Sequence, residues 1–151
     1  MMINPALGDT PAIQLFRLVI TLSTHLRTRM DQRLSSIGLT TQQAAVLTYL
    51  ESHEGPLTLG AVAGSLGTTH QNARQIVDAL RHKGLVEVGV DSDDRRARRI
   101  ATTSAAADLF ADRKLDDESQ VGEWLSALSE EEQAAAARLL HRVLRMLVTP
   151  S

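Results

Sequence analysis

The stretch that most restricts the fold lies between Thr58 and Gly84, where two short helical patterns stand almost end to end. Thr58 is placed to cap a brief helix carrying Leu59, Val62, Ala63 and Leu66, and Gly67 stops it. Thr69 caps the next helix, which runs from His70 to Lys83 and buries Ala73, Ile76, Val77 and Leu80. Two helices this short, joined by a turn of about two or three residues, have to pack across one another as a helix-turn-helix. Gly84 ends the second helix, and Leu85 to Val90 then alternates with period two, placing Val86, Val88 and Val90 on one side of a strand. Residues 91–97 form a loop, and a returning strand of about Arg98 to Thr102 closes a hairpin with Ile100 and Thr102 on one face and Arg99 on the other. Such a two-stranded hairpin is not stable alone and needs the helices to lean on.

The polar residues of this region are of the types that read nucleic acid. His70, Gln71, Asn72, Arg74, Gln75 and Arg81 lie on or near the side of the second helix opposite its apolar stripe, and they crowd its first two turns. A recognition helix reads base edges with its N-terminal residues, and Gln, Asn and Arg form paired bonds to adenine and guanine. An ordinary amphipathic helix with a solvated face shows the same pattern, so the loop that follows carries the distinction. There Arg95, Arg96, Arg98 and Arg99 fall within five positions. A tip rich in Arg suits the minor groove, where narrow A·T stretches concentrate negative potential. Asp91, Asp93 and Asp94 stand beside these arginines and are read as holding some guanidinium groups while aiming the rest.

The net charge of −2 hides this concentration. Residues 1–65 hold four basic and four acidic side chains, residues 66–103 seven and five, and residues 104–151 five and nine. Because Lys and Arg bind phosphates by local release of counterions, a local cluster suffices on a slightly acidic molecule. His70, Gln71, Asn72, Arg74 and Gln75 are therefore the expected base readers in the major groove. Arg95, Arg98 and Arg99, with Thr68 or Thr69, are the expected backbone contacts, which fix register without reading sequence.

Helices flank the region on both sides. A first segment from about Pro11 to Ile37, stopped by Gly38, carries apolar residues on more than one face, among them Ile13, Phe16, Leu18, Val19, Ile20, Leu22 and Leu26. Thr40 and Gln43 suggest a capping box for a helix with Ala44, Val46, Leu47 and Leu50 facing inward. Ser104 to about Leu128 reads as helix, with residues 113–120 interrupting its apolar stripe and a bend expected there. Ser129 and Glu132 open a last helix from Glu130 to Leu147, whose Leu139, Leu140, Val143, Leu144 and Leu147 exceed what a small interior can cover. The expected fold is mostly α with a small β-hairpin wing: a winged helix-turn-helix over about 40–103, with helical dimerisation segments over about 11–37 and 104–148 of a single protomer spanning 1–151. Dimerisation is the economical sink for the surplus apolar surface.

Several function classes fall away on composition. Without cysteine the chain has no disulfide, no Cys-ligated zinc and no thiol redox sensor. No segment approaches the roughly 20 apolar residues of a membrane span, and the first residues lack a signal-peptide pattern, so a soluble cytoplasmic protein is expected. The five histidines, His25, His53, His70, His82 and His141, are scattered with no paired ligand spacing, and no Gly-rich phosphate loop occurs. No enzyme activity, metal or cofactor is expected.

The chain resembles the MarR family, the multiple-antibiotic-resistance regulators, over almost its whole length. The family's wing pattern Asp-Pro-x-Asp-Arg-Arg-Ala, a few residues before Leu-Thr, appears as Asp91, Ser92, Asp93, Asp94, Arg95, Arg96 and Ala97, followed by Thr102 and Thr103. Ser92 stands for the usual proline and Thr102 for the usual leucine. The pattern Val-Asp-x-Leu-x-x-x-Gly-Leu-Val appears as Val77 to Val86. The resemblance implies a homodimer whose two winged helices straddle a pseudo-palindromic operator in double-stranded DNA, usually as a repressor. It implies that Asp94 and Arg96 are the wing-tip pair whose arginine approaches the minor groove. It also implies release by a small phenolic or carboxylate effector, in a pocket lined from the first, second and fifth helices, to which His25, Arg29 and Trp124 are candidate contributors. Two alternatives stand beside this: a winged helix used as a protein-interaction or structural module, and a metal-responsive regulator in which His25, His53 and His141 meet.

Overall fold

The structure is a computed structural model, described here over residues 9–90, 93 and 98–148. The chain divides into two compact units, Met1–Thr41 and Gln42–Ser151.

The first unit is built on helix α1, Pro11–Leu34. Thr10 caps it by accepting a hydrogen bond from the Ile13 amide at 3.3 Å, and Pro11 sits in the first turn, where its missing N–H costs nothing. A single 3₁₀ turn, Ser35–Ile37, follows, and Gly38 reverses the chain at φ 71°. The Gly38 amide then bonds to the Ser35 carbonyl and the Leu39 amide to that of Leu34, which leaves Leu34 and Leu39 both buried. Asp31 ends this unit with a bracket. Its Oδ1 accepts from both the amide and the hydroxyl of Thr41, each at 2.7 Å, at the start of helix α2, Thr41–Glu51. A carboxylate thus satisfies an otherwise orphaned amide at a helix N-terminus from ten residues upstream. The hydroxyl bond first, then the amide bond, hold the Asp31 carboxyl below the usual carboxylate range against a smaller opposing effect of burial.

This bond has a pH signature. Because the folded-state pKa is depressed, the stabilisation is present above the unfolded value and is lost as pH falls through the folded one. Asp31→Ala is expected to cost about 1 kcal/mol at neutral pH, the scale of a lost N-cap, and to flatten the acid limb of a stability profile. Urea unfolding of both proteins between neutral and acid pH checks this.

The second unit holds the rest. After α2 come strand β1 (Leu57–Thr58), helix α3 (Leu59–Leu66), helix α4 (His70–His82), strands β2 (Val86–Val90) and β3 (Arg98–Thr102), and helices α5 (Ser104–Ala111), α6 (Lys114–Trp124) and α7 (Glu130–Val148). Two of the helix N-caps read from the sequence, those of α3 and α4, are present. Thr58 accepts from the Ala61 amide and Thr69 from the Asn72 amide, both at 3.1 Å. At the end of α4, Gly84 takes φ 74°, its amide bonds to the Arg81 carbonyl, and the Leu85 amide bonds to that of Leu80. A side chain at 84 would strain that left-handed backbone, which is the reason for glycine there.

Val46, Leu47 and Leu50 of α2, Val62 and Ala63 of α3, and Ala73, Ile76, Val77 and Leu80 of α4 are buried together with Leu85, Val86, Ile100 and Ala106. This is the stripe that the spacing of residues 59–80 predicts. No polar or charged residue among those described is buried, so the interior is held by packing alone.

Two details differ from the expectation. The wing is not a two-stranded hairpin but the larger part of a three-stranded antiparallel sheet ordered β1, β3, β2, in which Leu57 pairs with Ile100 and Thr58 with Arg99. Two residues are too few to show an alternating pattern, and Thr58 is also a helix cap, so sequence spacing could not announce the strand. The helix expected over 104–128 is broken after Ala111, at Asp112 and Arg113, and α6 stops at Trp124. In the polar run from Asp112 to Gln120 the one apolar side chain, Leu115, is exposed, so burial does not hold the helix straight there. The capping box at the next helix is intact: the Ser129 amide donates to Glu132 Oε1 at 3.0 Å, and the Glu132 amide donates to Ser129 Oγ at 3.2 Å. The Ser129 amide bond, then its hydroxyl bond, keep the Glu132 carboxyl below the ordinary range.

Candidate nucleic-acid interface

Helix α4 presents its polar side outward as a consequence of how its other side is buried. With Ala73, Ile76, Val77 and Leu80 against the interior, helical geometry turns Gln71, Arg74, Gln75 and Asp78 out, and His70 stands exposed at the first helical position. The stripe His70, Gln71, Arg74 and Gln75 offers donors and acceptors over the first two turns, the part of a recognition helix that reaches base edges.

Asn72 occupies a different place from its four neighbours. It is half-buried, and its Nδ2 donates to Thr68 Oγ1 at 2.8 Å. The Thr68 amide is itself bonded to the Ala63 carbonyl at 3.1 Å, so Asn72 ties the turn between α3 and α4 to the start of α4. Thr69 is exposed and capped onto the Asn72 amide. The two threonines and Asn72 make a small polar clasp that fixes the angle at which α4 leaves the turn. At the other end, Lys83 Nζ donates to Gln43 Oε1 of α2 at 3.1 Å.

Among the wing residues, Asp94, Arg95 and Arg96 lie outside the described residues. Arg98 and Arg99 are placed, and they differ. Alternation along β3 puts Arg98 and Ile100 on one face and Arg99 and Ala101 on the other. Arg98, opposite Val90 at the far end of the hairpin, is exposed. Arg99 is half-buried, pairs in register with Thr58 and Gly89, and donates from Nη1 to the Pro56 carbonyl at 3.2 Å. It braces the hairpin against the loop before β1. A backbone carbonyl acceptor leaves no mark in a sequence, so residue type alone does not show this brace.

The residues named for an effector pocket fall on separate elements. His25 and Arg29 are exposed on α1 in the first unit, and Trp124 is half-buried at the end of α6 in the second. No cluster of three or more metal-ligating side chains occurs among the described residues.

A protein-family model described as MarR family matches residues 37–97, from the end of the 3₁₀ turn through α2, α3, α4 and β2 to the residue before β3. The solved transcriptional regulator PA3341 is 32% identical, with 88% of this chain and 97% of that one covered and a TM-score of 0.75. The chain belongs to the MarR family. Other regulators are similar as well: the HTH-type transcriptional regulator MhqR of Bacillus subtilis is 28% identical over 130 residues, 84% of this chain and 89% of that protein. The S. aureus MepR–DNA complex is 26% identical, covers 91% of this chain and 99% of its own, and has a TM-score of 0.75. As a MarR-family winged helix-turn-helix protein the chain is a transcriptional regulator. No helix among the described residues is long and apolar enough to cross a membrane.

Proposed function

We propose that the protein is a cytoplasmic repressor that binds a pseudo-palindromic operator as a homodimer and is released by a small phenolic or carboxylate effector. The observation that carries the DNA-binding part is the outward stripe of α4: His70, Gln71, Arg74 and Gln75 are all exposed at the mouth of a turn clasped by Thr68, Thr69 and Asn72. These residues read the major groove, with Asn72 holding the helix in register. Arg96 of the wing enters the minor groove beside Asp94, and Arg95 and Arg98 contact phosphates while Arg99 steadies the hairpin. That MepR, a relative of similar fold, was solved with DNA supports this assignment.

The homodimer is supported by apolar side chains that the single chain leaves in water. On α1, Phe16 and Ile20 are 64% and 53% exposed, and on α7, Leu144 and Leu147 are 54% and 71% exposed. Runs of this kind on helices mark an interface. Residues 11–37 and 104–148 thus form the dimerisation region around the DNA-binding lobe, 40–103. An effector would act by favouring a spacing of the two DNA-binding lobes of the dimer that mismatches the operator.

Selection of bound DNA from a random pool tests the proposal. Enrichment of an inverted repeat with half-site centres about 10 base pairs, or roughly 34 to 36 Å, apart is the expected result. A pool that shows no enriched sequence would leave the winged helix as a protein-interaction module.

A further inference from the structure

We infer that Gly60 is a specificity-determining position of the DNA-reading surface, because the bare backbone there is the seat of the His70 imidazole and the side chain at 60 sets where that ring points. The inference rests on the proposed role of His70 in reading DNA.

Gly60 is the second residue of α3, half-buried in the first turn that Thr58 caps. A Cβ at this position would stand 3.5 Å from His70 Cε1, 3.7 Å from His70 Nε2 and 3.9 Å from Thr58 Oγ1. The edge of the His70 ring carrying Cε1 and Nε2 therefore lies beside the start of α3, while the residue as a whole is exposed. Its own backbone is the first turn of α4, fixed by the Thr69 cap, so only side-chain rotation is free to move it.

The distances separate two kinds of substitution. A methyl group at 60 meets the ring at ordinary van der Waals separation and supports it where it is. A β-branched side chain extends about 1.5 Å further on two γ carbons, and in a helix its χ1 is stiff. With the ring 3.5 Å and the Thr58 hydroxyl 3.9 Å from the Cβ, a γ carbon turned toward the ring displaces it, and the ring then presents different atoms to DNA. Valine is no worse a helix former than glycine, so the fold of α3 is not what such a change tests.

Gly60→Ala, Gly60→Val, His70→Ala and the double variant Gly60→Val/His70→Ala are compared by fluorescence anisotropy on the selected operator and on single-base-pair variants of it. The His70 Cε1 proton resonance is followed in the free proteins. Gly60→Ala is expected to match the parent within about twofold. Gly60→Val is expected to bind about tenfold more weakly, to change preference at the base pair nearest the start of α4, and to shift the His70 resonance. In the His70→Ala background the valine should add nothing. An unchanged affinity and preference for Gly60→Val, or an equal loss with and without His70, overturns the inference. A parent protein that favours no sequence overturns the DNA-reading role beneath it. A resonance that valine does not move overturns the seat itself, whatever DNA does.

Discussion

Leu80→Ala is expected to lower the stability of the protein by about 2–5 kcal/mol, a large part of the roughly 5–15 kcal/mol that holds a typical domain folded. Leu80 has no exposed surface, and it lies in the last turn of α4 where the helix meets β2. Its carbonyl also receives the Leu85 amide at 3.0 Å, and Leu85 is buried beside the reversal at Gly84. Truncation removes transfer energy and leaves a void that the fixed backbone on either side cannot close. Urea unfolding at fixed protein concentration checks this, since dimerisation makes apparent stability concentration-dependent. A midpoint displaced by less than the equivalent of about 1 kcal/mol would mean that the site collapses around the smaller side chain.

Arg96→Ala is expected to weaken operator binding by about 1–3 kcal/mol, roughly five- to 150-fold, with little change in stability. The wing is the part of the molecule where positive charge is gathered, with four arginines in five positions on a chain whose net charge is −2. A guanidinium group lodged in a narrow minor groove neutralises phosphates on both sides, so its loss removes both a contact and released counterions. Arg99→Ala is a useful contrast. With Nη1 bonded to the Pro56 carbonyl, Arg99 acts on the hairpin, so its loss should loosen the wing more than it removes a phosphate contact.

How far the sequence could be read depended on whether a feature is written in side-chain pattern or in backbone pairing. Thr58, Gly67, Thr69 and Gly84 mark helix ends by local chemistry, and the structure has helix boundaries at each. The period of Val62, Ala63, Ala73, Ile76, Val77 and Leu80 is the buried face of two helices, because burial and helical geometry leave one arrangement open. Strand β1 was illegible, since two residues carry no period and Leu57 and Thr58 are strand only through their pairing with β3. The stop at Asp112 was legible only as an expected bend, because a lost apolar stripe does not say where a helix breaks. In the candidate interface, residue type picked out Gln71, Arg74 and Gln75 on the exposed face. It could not distinguish Asn72, which the Thr68 hydroxyl holds, or Arg99, which a carbonyl holds, from their neighbours. Gly60 gave no signal, because a glycine inside a helix shows its purpose only when the ring lying on it is seen.

If α4 and the wing grip DNA through phosphates as well as bases, the salt dependence of operator affinity shows it most directly. The logarithm of the association constant, plotted against the logarithm of salt concentration, should fall steeply, with a slope of about −0.9 for each phosphate contact. The Arg96→Ala protein should give a slope shallower by about one. Binding that is flat with salt, or a slope that Arg96→Ala leaves unchanged while affinity also holds, would contradict the account.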